Sequence, residues 1–445
     1  MELVKMHRHE SYRDSGVDWI GEIPSEWNVK KVTHLFKNIG SGTTPSSGNA
    51  SFYNGSIPWL QTGDLNDGIV CSTSKSISEK ALKLHSALKI YKKGSLVIAM
   101  YGATIGKACI VDLDTTTNQA CCVIESSSKQ NTKFYFYVFL GVKGHILSMA
   151  YGGGQPNISQ DLIRGLRLPN PHILEQTAIA NFLNQKTAQI DEAITIKERQ
   201  IELLKERKQI IIQKAVTQGL NPNVPMKDSG LEWIGKVPEH WGVKKLRYLG
   251  KTQNGISAGA EYFGSGYPFV SYGDVYNSVV LPSTVNGLAN SSEQDQIQYS
   301  IKEGDVLFTR TSETVDEIGF ASTCFKSIDK ATFAGFLIRF RPSSTLLIKE
   351  FSRYYFSSQL MRKYFVKEMN LVIRASLSQE LLKNLPVLLP SIGEQLEIFN
   401  YLEEQSRKFE SLIDIQKSQI EKLKEYKTTL INSAVTGKIK VTDER

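Results

Sequence analysis

The sequence predicts an α+β chain built from two mixed α/β units, each followed by a long helix bearing a coiled-coil stripe. Three observations carry this: an internal repeat, a four-three apolar alternation at the end of each half, and strand-loop-strand runs in each middle. The repeat comes first. Asp14-Ser15-Gly16-Val17-Asp18-Trp19-Ile20-Gly21-Glu22-Ile23-Pro24 recurs as Asp228-Ser229-Gly230-Leu231-Glu232-Trp233-Ile234-Gly235-Lys236-Val237-Pro238, and the match runs on through Trp27 and Trp241 to Lys31 and Lys245. A second matched block begins at Ser159-Gln160 and Ser378-Gln379. It passes Pro171 with Glu175-Gln176 and Pro390 with Glu394-Gln395, and reaches Ala215-Val216-Thr217 and Ala434-Val435-Thr436. The chain is thus a tandem duplication with similar flanks and dissimilar middles.

The helices follow from spacing. Ile190, Ile194, Lys197, Ile201, Leu204, Lys208, Ile211 and Ala215 form a four-three series, repeated as Phe409, Ile413, Gln416, Ile420, Leu423, Lys427, Leu430 and Ala434. Such a stripe is narrower than the face of a helix lying on its own domain, and it marks a coiled-coil seam. Polar residues fall at the same two seam positions in both copies, which points to a fixed packing register. Pro169 and Pro171 precede the first helix and Pro390 the second; Gly219 with Pro222, and Gly437, supply the stops. About 28 residues of helix would span roughly 40 Å. Gly219 to Gly230 reads as a linker.

The unmatched middles, about residues 37 to 155 and 251 to 372, alternate short apolar runs with glycine turns. Ser95–Met100 and Asp305–Thr309 read as strands. Each is followed by a polar loop, Tyr101–Lys107 or Arg310–Thr314, and then by a second strand at Ala108–Val111 or Gly319–Ser322. Phe134–Leu147 and Lys349–Phe365 read as helices.

Bulk properties set the limits. A chain of 445 residues buries several cores, and 41% hydrophobic with 22% charged residues is ordinary for a folded protein. No apolar run reaches the roughly 18 residues of a membrane span. Met1–Glu10 has no apolar segment after it, which argues against a secretory signal and predicts a cytoplasmic location. The five cysteines form no Cys-x-x-Cys pair and read as reduced thiols, mostly in the core. A net charge of +8 favours a polyanionic partner.

Enzyme motifs are missing. Gly102–Lys107 has one residue too few between its glycines for a phosphate loop, and Ala108 stands where Ser or Thr is required. Phe263-Gly264-Ser265-Gly266 is no nucleotide fingerprint, and the Asn/Asp-Pro-Pro-aromatic motif of amino-methyltransferases is absent. No His-Glu-x-x-His helix and no nuclease carboxylate pair occurs, so the chain reads as non-catalytic, with no cofactor or metal of its own.

The paired Asp-Ser-Gly-x-x-Trp-Ile-Gly-x-x-Pro entries, the variable middles and the Pro-x-x-x-Glu-Gln before each long helix resemble type I restriction-modification specificity subunits across essentially the whole chain. Ser41-Gly42-Thr43-Thr44-Pro45 and Ile57-Pro58-Trp59-Leu60 are similar to motifs frequent in that family. The resemblance implies two target-recognition domains in pseudo-twofold relation, separated by two long antiparallel helices. On that pattern residues 1–168 and 220–387 are the recognition domains, and 169–219 and 388–445 the spacer helix regions. It also implies double-stranded DNA, two adenine-methylating modification subunits and restriction subunits as partners, in host defence. S-adenosylmethionine, ATP and magnesium are then expected on the partner subunits. A coiled-coil interaction scaffold without DNA specificity is the alternative reading.

Base edges need donor and acceptor side chains, whereas phosphates take Lys, Arg or backbone amides. Polar loops beside glycine are therefore the candidate DNA contacts. In the first unit these are Thr43, Thr44, Ser46, Gln61, Tyr101, Thr104, Lys107, Asn118 and Gln119, with Gly153, Gln155 and Asn157 in a glycine-rich loop. In the second they are Asn254, Ser257, Tyr272, Arg310, Thr311, Ser312 and Arg374. Turn residues that satisfy their own backbone would look the same. Asn254-Gly255-Ile256-Ser257 departs from Ser41-Gly42-Thr43-Thr44, which leaves the correspondence of individual contacts open. Trp19, Trp27, Trp233 and Trp241 recur where the reading should differ, so they are expected to be core or interface anchors and not base-stacking platforms.

Dissimilar middles on similar scaffolds predict a bipartite, asymmetric target with the helices as its spacer. Adding a heptad to both helices is expected to lengthen the unread gap by about 3 base pairs. Methylation mapping that returned the original gap would refute the spacer role.

Overall fold

The computed structural model describes residues 7–150, 157–312, 318–368 and 375–441. The chain divides into two compact units, Met1–Glu198 with Lys417–Arg445, and Arg199–Gln416. Each unit therefore combines the start of one long helix with the end of the other.

The helices run from Ile173 to Gln218, 46 residues, and from Ile392 to Val435, 44 residues. Both exceed the 28 or so residues counted from the seam, because each helix changes the face it buries along its length. Toward its start the first helix turns Gln176, Ile179, Ala180, Leu183 and Thr187 inward, a three-four spacing that packs on the unit's own core. Gln395, Ile398, Leu402 and Ser406 repeat this in the second. Beyond that the narrow seam takes over. Ile190, Ile201, Ala215, Phe409, Ile420, Leu430 and Ala434 are buried and the other seam positions half-buried, between exposed flanks.

The seam lysines are paired. In the first unit Lys427 Nζ lies 2.7 Å from both Asp191 carboxylate oxygens, and Lys197 Nζ donates to Gln419. Position numbers rise along one helix as they fall along the other, so the two segments are antiparallel. In the second unit Lys208 Nζ lies 2.9 Å from Glu410 Oε1, the repeat-related pair. Half-exposed ion pairs contribute only about 0–1 kcal/mol each. Their matched placement fixes register more than stability.

The two repeated motifs prove to be one structure. Trp27 Nε1 donates to Glu175 Oε2 at 2.9 Å, and Trp241 Nε1 to Glu394 Oε2 at 3.0 Å. Both indoles are 1% exposed, as expected of core anchors, whereas Trp19 and Trp233 are half-buried and pack against the edges of the same cores. The adjacent glutamines are buried and bridge outward. Gln176 Oε1 accepts from Asn131 N–H and its Nε2 donates to Pro171 O; Gln395 does the same with Ile348 N–H and Pro390 O. Helix ends complete the arrangement. Leu430, Ile431, Ala434 and Val435 join the core around Trp27, and Ile212, Ala215 and Val216 the core around Trp241.

Among the described residues the sheets repeat too. The first unit orders Ile39–Gly40, Cys121–Ile124, Leu96–Ala99, Ala108–Val111 and Ile69–Val70 in one sheet; the second orders Gly250–Asn254, Leu337–Pro342, Val306–Thr309 and Ala321–Thr323. Beside each lies a smaller sheet with one parallel pairing, Tyr53–Leu60 on Thr116–Thr117 or Phe263–Val270 on Thr332–Phe333. Helix Thr132–Ser148 covers the first sheet. Its counterpart is two helices, Lys349–Ser357 and Gln359–Glu368, not the single one expected: Ser358 turns extended and bonds back to Tyr355 O. Cys109, Cys121, Cys122 and Cys324 are buried free thiols and Cys71 is exposed. Burial pushes the Cys109 thiol up to about 12. Among the described residues no helix is long and apolar enough to cross a membrane.

Trp27→Phe keeps most of the buried ring and removes the bond to Glu175. It is expected to cost about 1.5–3 kcal/mol. Hydrogen exchange should show the first unit loosening while the second holds, and Trp241→Phe should reverse the pattern.

Candidate nucleic-acid interface

Strand direction gathers most of the predicted residues at one end of each sheet. In the first unit Tyr53–Leu60 and Thr116–Thr117 run parallel, so both finish together and place Gln61 beside Asn118 and Gln119. The Asn118 N–H donates to Leu60 O at 3.2 Å. Leu96–Ala99 runs antiparallel to its neighbours Cys121–Ile124 and Ala108–Val111, so its exit, with Tyr101, lies beside their entrances, with Gln119 and Lys107. Tyr101 bridges to Asn157, while Met100 N–H donates to Ala120 O. Thr44 Oγ1 closes the group by donating to Gln119 Oε1 at 2.7 Å.

Their side chains are differently employed. Thr44 and Gln119 are exposed, Tyr101 is 44% exposed, and Thr43, Gln61, Lys107 and Asn157 are half-buried. Thr104 Oγ1 is taken by Tyr101 O, and Asn118 Oδ1 accepts from Ala120 N–H, so these two do serve their own turns. Ser46 is exposed, its carbonyl accepting from Asn49 N–H. The Gly102–Lys107 loop closes as a short 3-10 turn over Gly102–Thr104. Gly153, Gln155 and Arg374 lie outside the described residues.

The second unit assembles the same end. Val306–Thr309 is antiparallel to Leu337–Pro342, which is antiparallel to Gly250–Asn254, so Arg310, Phe336 and Asn254 come together. Arg310 N–H donates to Phe336 O at 2.9 Å, the bond that Met100 makes to Ala120. Loop order in the sequence set Arg310 beside Tyr101; hydrogen-bond register sets it on Met100, and Thr311, paired with Ser376, on Tyr101. Ser312 follows in that short strand opposite Ala375. The Arg310 guanidinium reaches Gly335 O at 3.4 Å through Nη1, while its Nε and the Asn254 Oδ1, both buried, have no partner among the described residues. Ser257 is exposed beside Gly335, and Tyr272 stacks on Tyr276 at 5.8 Å and 20°.

Gly42 and Gly255, the open point of the sequence comparison, take corresponding positions. A Cβ on Gly42 would fall 1.7 Å from Thr117 O, and one on Gly255 2.2 Å from Ala334 O. Both let a loop pass against the end of the short parallel strand. Phe336 was not among the sequence candidates: it lies within an apolar run, yet it is a turn residue whose ring is 64% exposed at this end. The glycine just before it was the available signal. Among the described residues no cluster of three or more His, Cys, Asp or Glu is arranged to hold a metal.

The model of the type I restriction modification DNA specificity domain matches residues 24–206 and 238–425. The type I restriction enzyme MjaVIII specificity subunit of Methanocaldococcus jannaschii is 24% identical over 450 residues, covering 99% of this chain and 98% of its own. The EcoKI specificity subunit of Escherichia coli is 25% identical over 401 residues, 86% of this chain and 83% of its own. A solved chain described under the assembly and conformational transition of the type I R-M system superposes with a TM-score of 0.70 at 15% identity, covering 93% of this chain and 98% of its own. The HsdS subunit from Thermoanaerobacter tengcongensis gives 0.54 at 16%, covering 94% and 98%. These superpositions bear on the fold.

Gly42→Ala is expected to cost about 1–3 kcal/mol by overpacking. Hydrogen exchange should show protection falling at Thr116–Ile124 with the second unit unchanged; equal protection would mean the loop shifts freely.

Proposed function

The chain belongs to the type I restriction modification DNA specificity family, and on that premise we propose that it reads a bipartite, asymmetric DNA sequence and positions modification and restriction subunits on it. One observation carries this. Two units of matching backbone register carry different residues at the same end of the sheet: Met100, Tyr101 and Gln119 in one, Arg310, Thr311 and Gly335 in the other. Equal scaffolds with unequal donors and acceptors suit two half-sites of different sequence.

Within each unit main-chain bonds hold the residues proposed to read DNA at one end of the sheet. Tyr101, Gln119 and Thr44 offer hydroxyl and amide groups to base edges in the first unit, and Arg310, Asn254 and Thr311 do so in the second. A net charge of +8 supports phosphate contacts and a steep fall of affinity with salt. The chain itself catalyses nothing in this proposal. Two adenine-methylating subunits and the restriction subunits carry the chemistry in the cytoplasm, with S-adenosylmethionine, ATP and magnesium bound there.

The test is methylome sequencing after co-expression with the cognate modification subunit. One bipartite sequence should be methylated, and a spread of unrelated sites would refute the reading. Arg310→Ala is expected to cost about 1–3 kcal/mol and to relax a single position in the second half-site. A uniform loss over all sequences would reassign Arg310 to phosphate.

A further inference from the structure

From Ala331 to Phe340 every residue is buried except Phe336, whose ring is 64% exposed. Single exposed apolar side chains are ordinary, so exposure alone decides nothing. The setting of this one does. Its carbonyl accepts from Arg310 N–H at 2.9 Å, Leu337 N–H next to it donates to Ala334 O at 3.0 Å, and Gly335 N–H before it donates to Ile256 O at 2.7 Å. The ring therefore stands on pinned backbone at a strand entrance.

Register fixes what surrounds it. Phe308 faces Ile338 and Thr309 faces Leu337, so Arg310 comes opposite Phe336, the turn residue that leads into the Leu337 strand. Asn254 faces Ile338 from the strand on the other side. An exposed apolar ring thus shares one sheet end with a guanidinium and an amide that each keep a buried polar atom with no partner among the described residues. At the matching place in the first unit are Ala120 and Met100, both buried. The feature belongs to one unit alone, as a determinant of one half-site would.

A phenyl ring makes no hydrogen bond to a base edge. What it can recognise in the major groove is the C5-methyl group, which among the four bases only thymine carries. We infer that Phe336 packs against the methyl of a thymine in the half-site read by the second unit and is a specificity-determining residue there. The inference rests on the DNA-reading function proposed above. Arg310 and Asn254 share this end of the sheet, so the neighbouring positions are those they read.

The experiment uses the full chain in complex with its modification subunits, on the target defined by methylome mapping. Each thymine of the second half-site, on either strand, is replaced in turn by deoxyuridine, which removes the methyl and leaves every donor and acceptor in place. Binding should weaken about fourfold at one position, the effect of one lost methyl contact. Phe336→Ala should bind thymine and uracil duplexes equally at that position, and Phe336→Leu should retain most of the difference. A half-site without thymine, a flat uracil scan, or the same penalty in Phe336→Ala would each overturn the inference. So would an affinity loss in Phe336→Ala that is equal on all duplexes, the behaviour of a ring that stacks on any base. Failure of the underlying function appears earlier and separately, as mapping that yields no bipartite target, and it removes the inference with it. Unchanged thermal unfolding of both variants excludes misfolding as the cause.

Discussion

The hydrogen bond from an entry indole to the glutamate at the start of a long helix is the contact on which each unit depends. A buried Trp N–H must find an acceptor, and a carboxylate drawn out of water must find a donor. Each meets the other's need. Burial still raises the Glu175 carboxyl above the ordinary carboxylate range, with the Trp27 bond opposing it. Gln176, one residue on, ties the same helix start to the entrance of helix Thr132–Ser148, so the sheet, its covering helix and the long helix share one fixed corner. The end of the other long helix closes over the same tryptophan: a Cβ on Gly437 would lie 3.2 Å from Trp27, and one on Gly219 3.4 Å from Trp241.

What was legible in the sequence is what the chain states twice. The Trp and Glu-Gln motifs, the seam and its lysines recur, so their importance could be read without knowing that Trp27 meets Glu175. The pairing itself was not legible, because 148 residues separate the partners. Helix length escaped for a different reason. A helix that buries one face on a domain and another on a second helix has no single stripe, so only the seam showed a clean period. The break at Ser358 was hidden because Ser is tolerated within helices and the apolar spacing continues past it.

The candidate site was half legible. Glycine-flanked polar loops located Tyr101 and Gln119 in one unit, and Asn254 and Arg310 in the other, at what proved to be the same end of each sheet. Their mutual correspondence was not, since it rests on hydrogen-bond register and a shift of one residue moves Arg310 from Tyr101 to Met100. Nor could composition separate Thr104 and Asn118, which bond to their own turns, from Thr44, whose hydroxyl points across to another loop. Turn chemistry and recognition chemistry use the same residue types.

The division of labour between backbone and side chain explains how the two units can differ at that end and still fold alike. Arg310 meets Phe336 O and Leu377 N–H with its main chain, and Met100 meets Ala120 O and Ile158 N–H in the same way. None of these bonds depends on what the side chain is. A buried methionine facing alanine and an arginine facing an exposed phenylalanine are therefore equally compatible with the sheet. The glycines at 42 and 255 are the opposite case, since the main chain itself occupies the space a side chain would need. Positions held through main-chain bonds are free to vary in what they read, and positions held through main-chain contact are not.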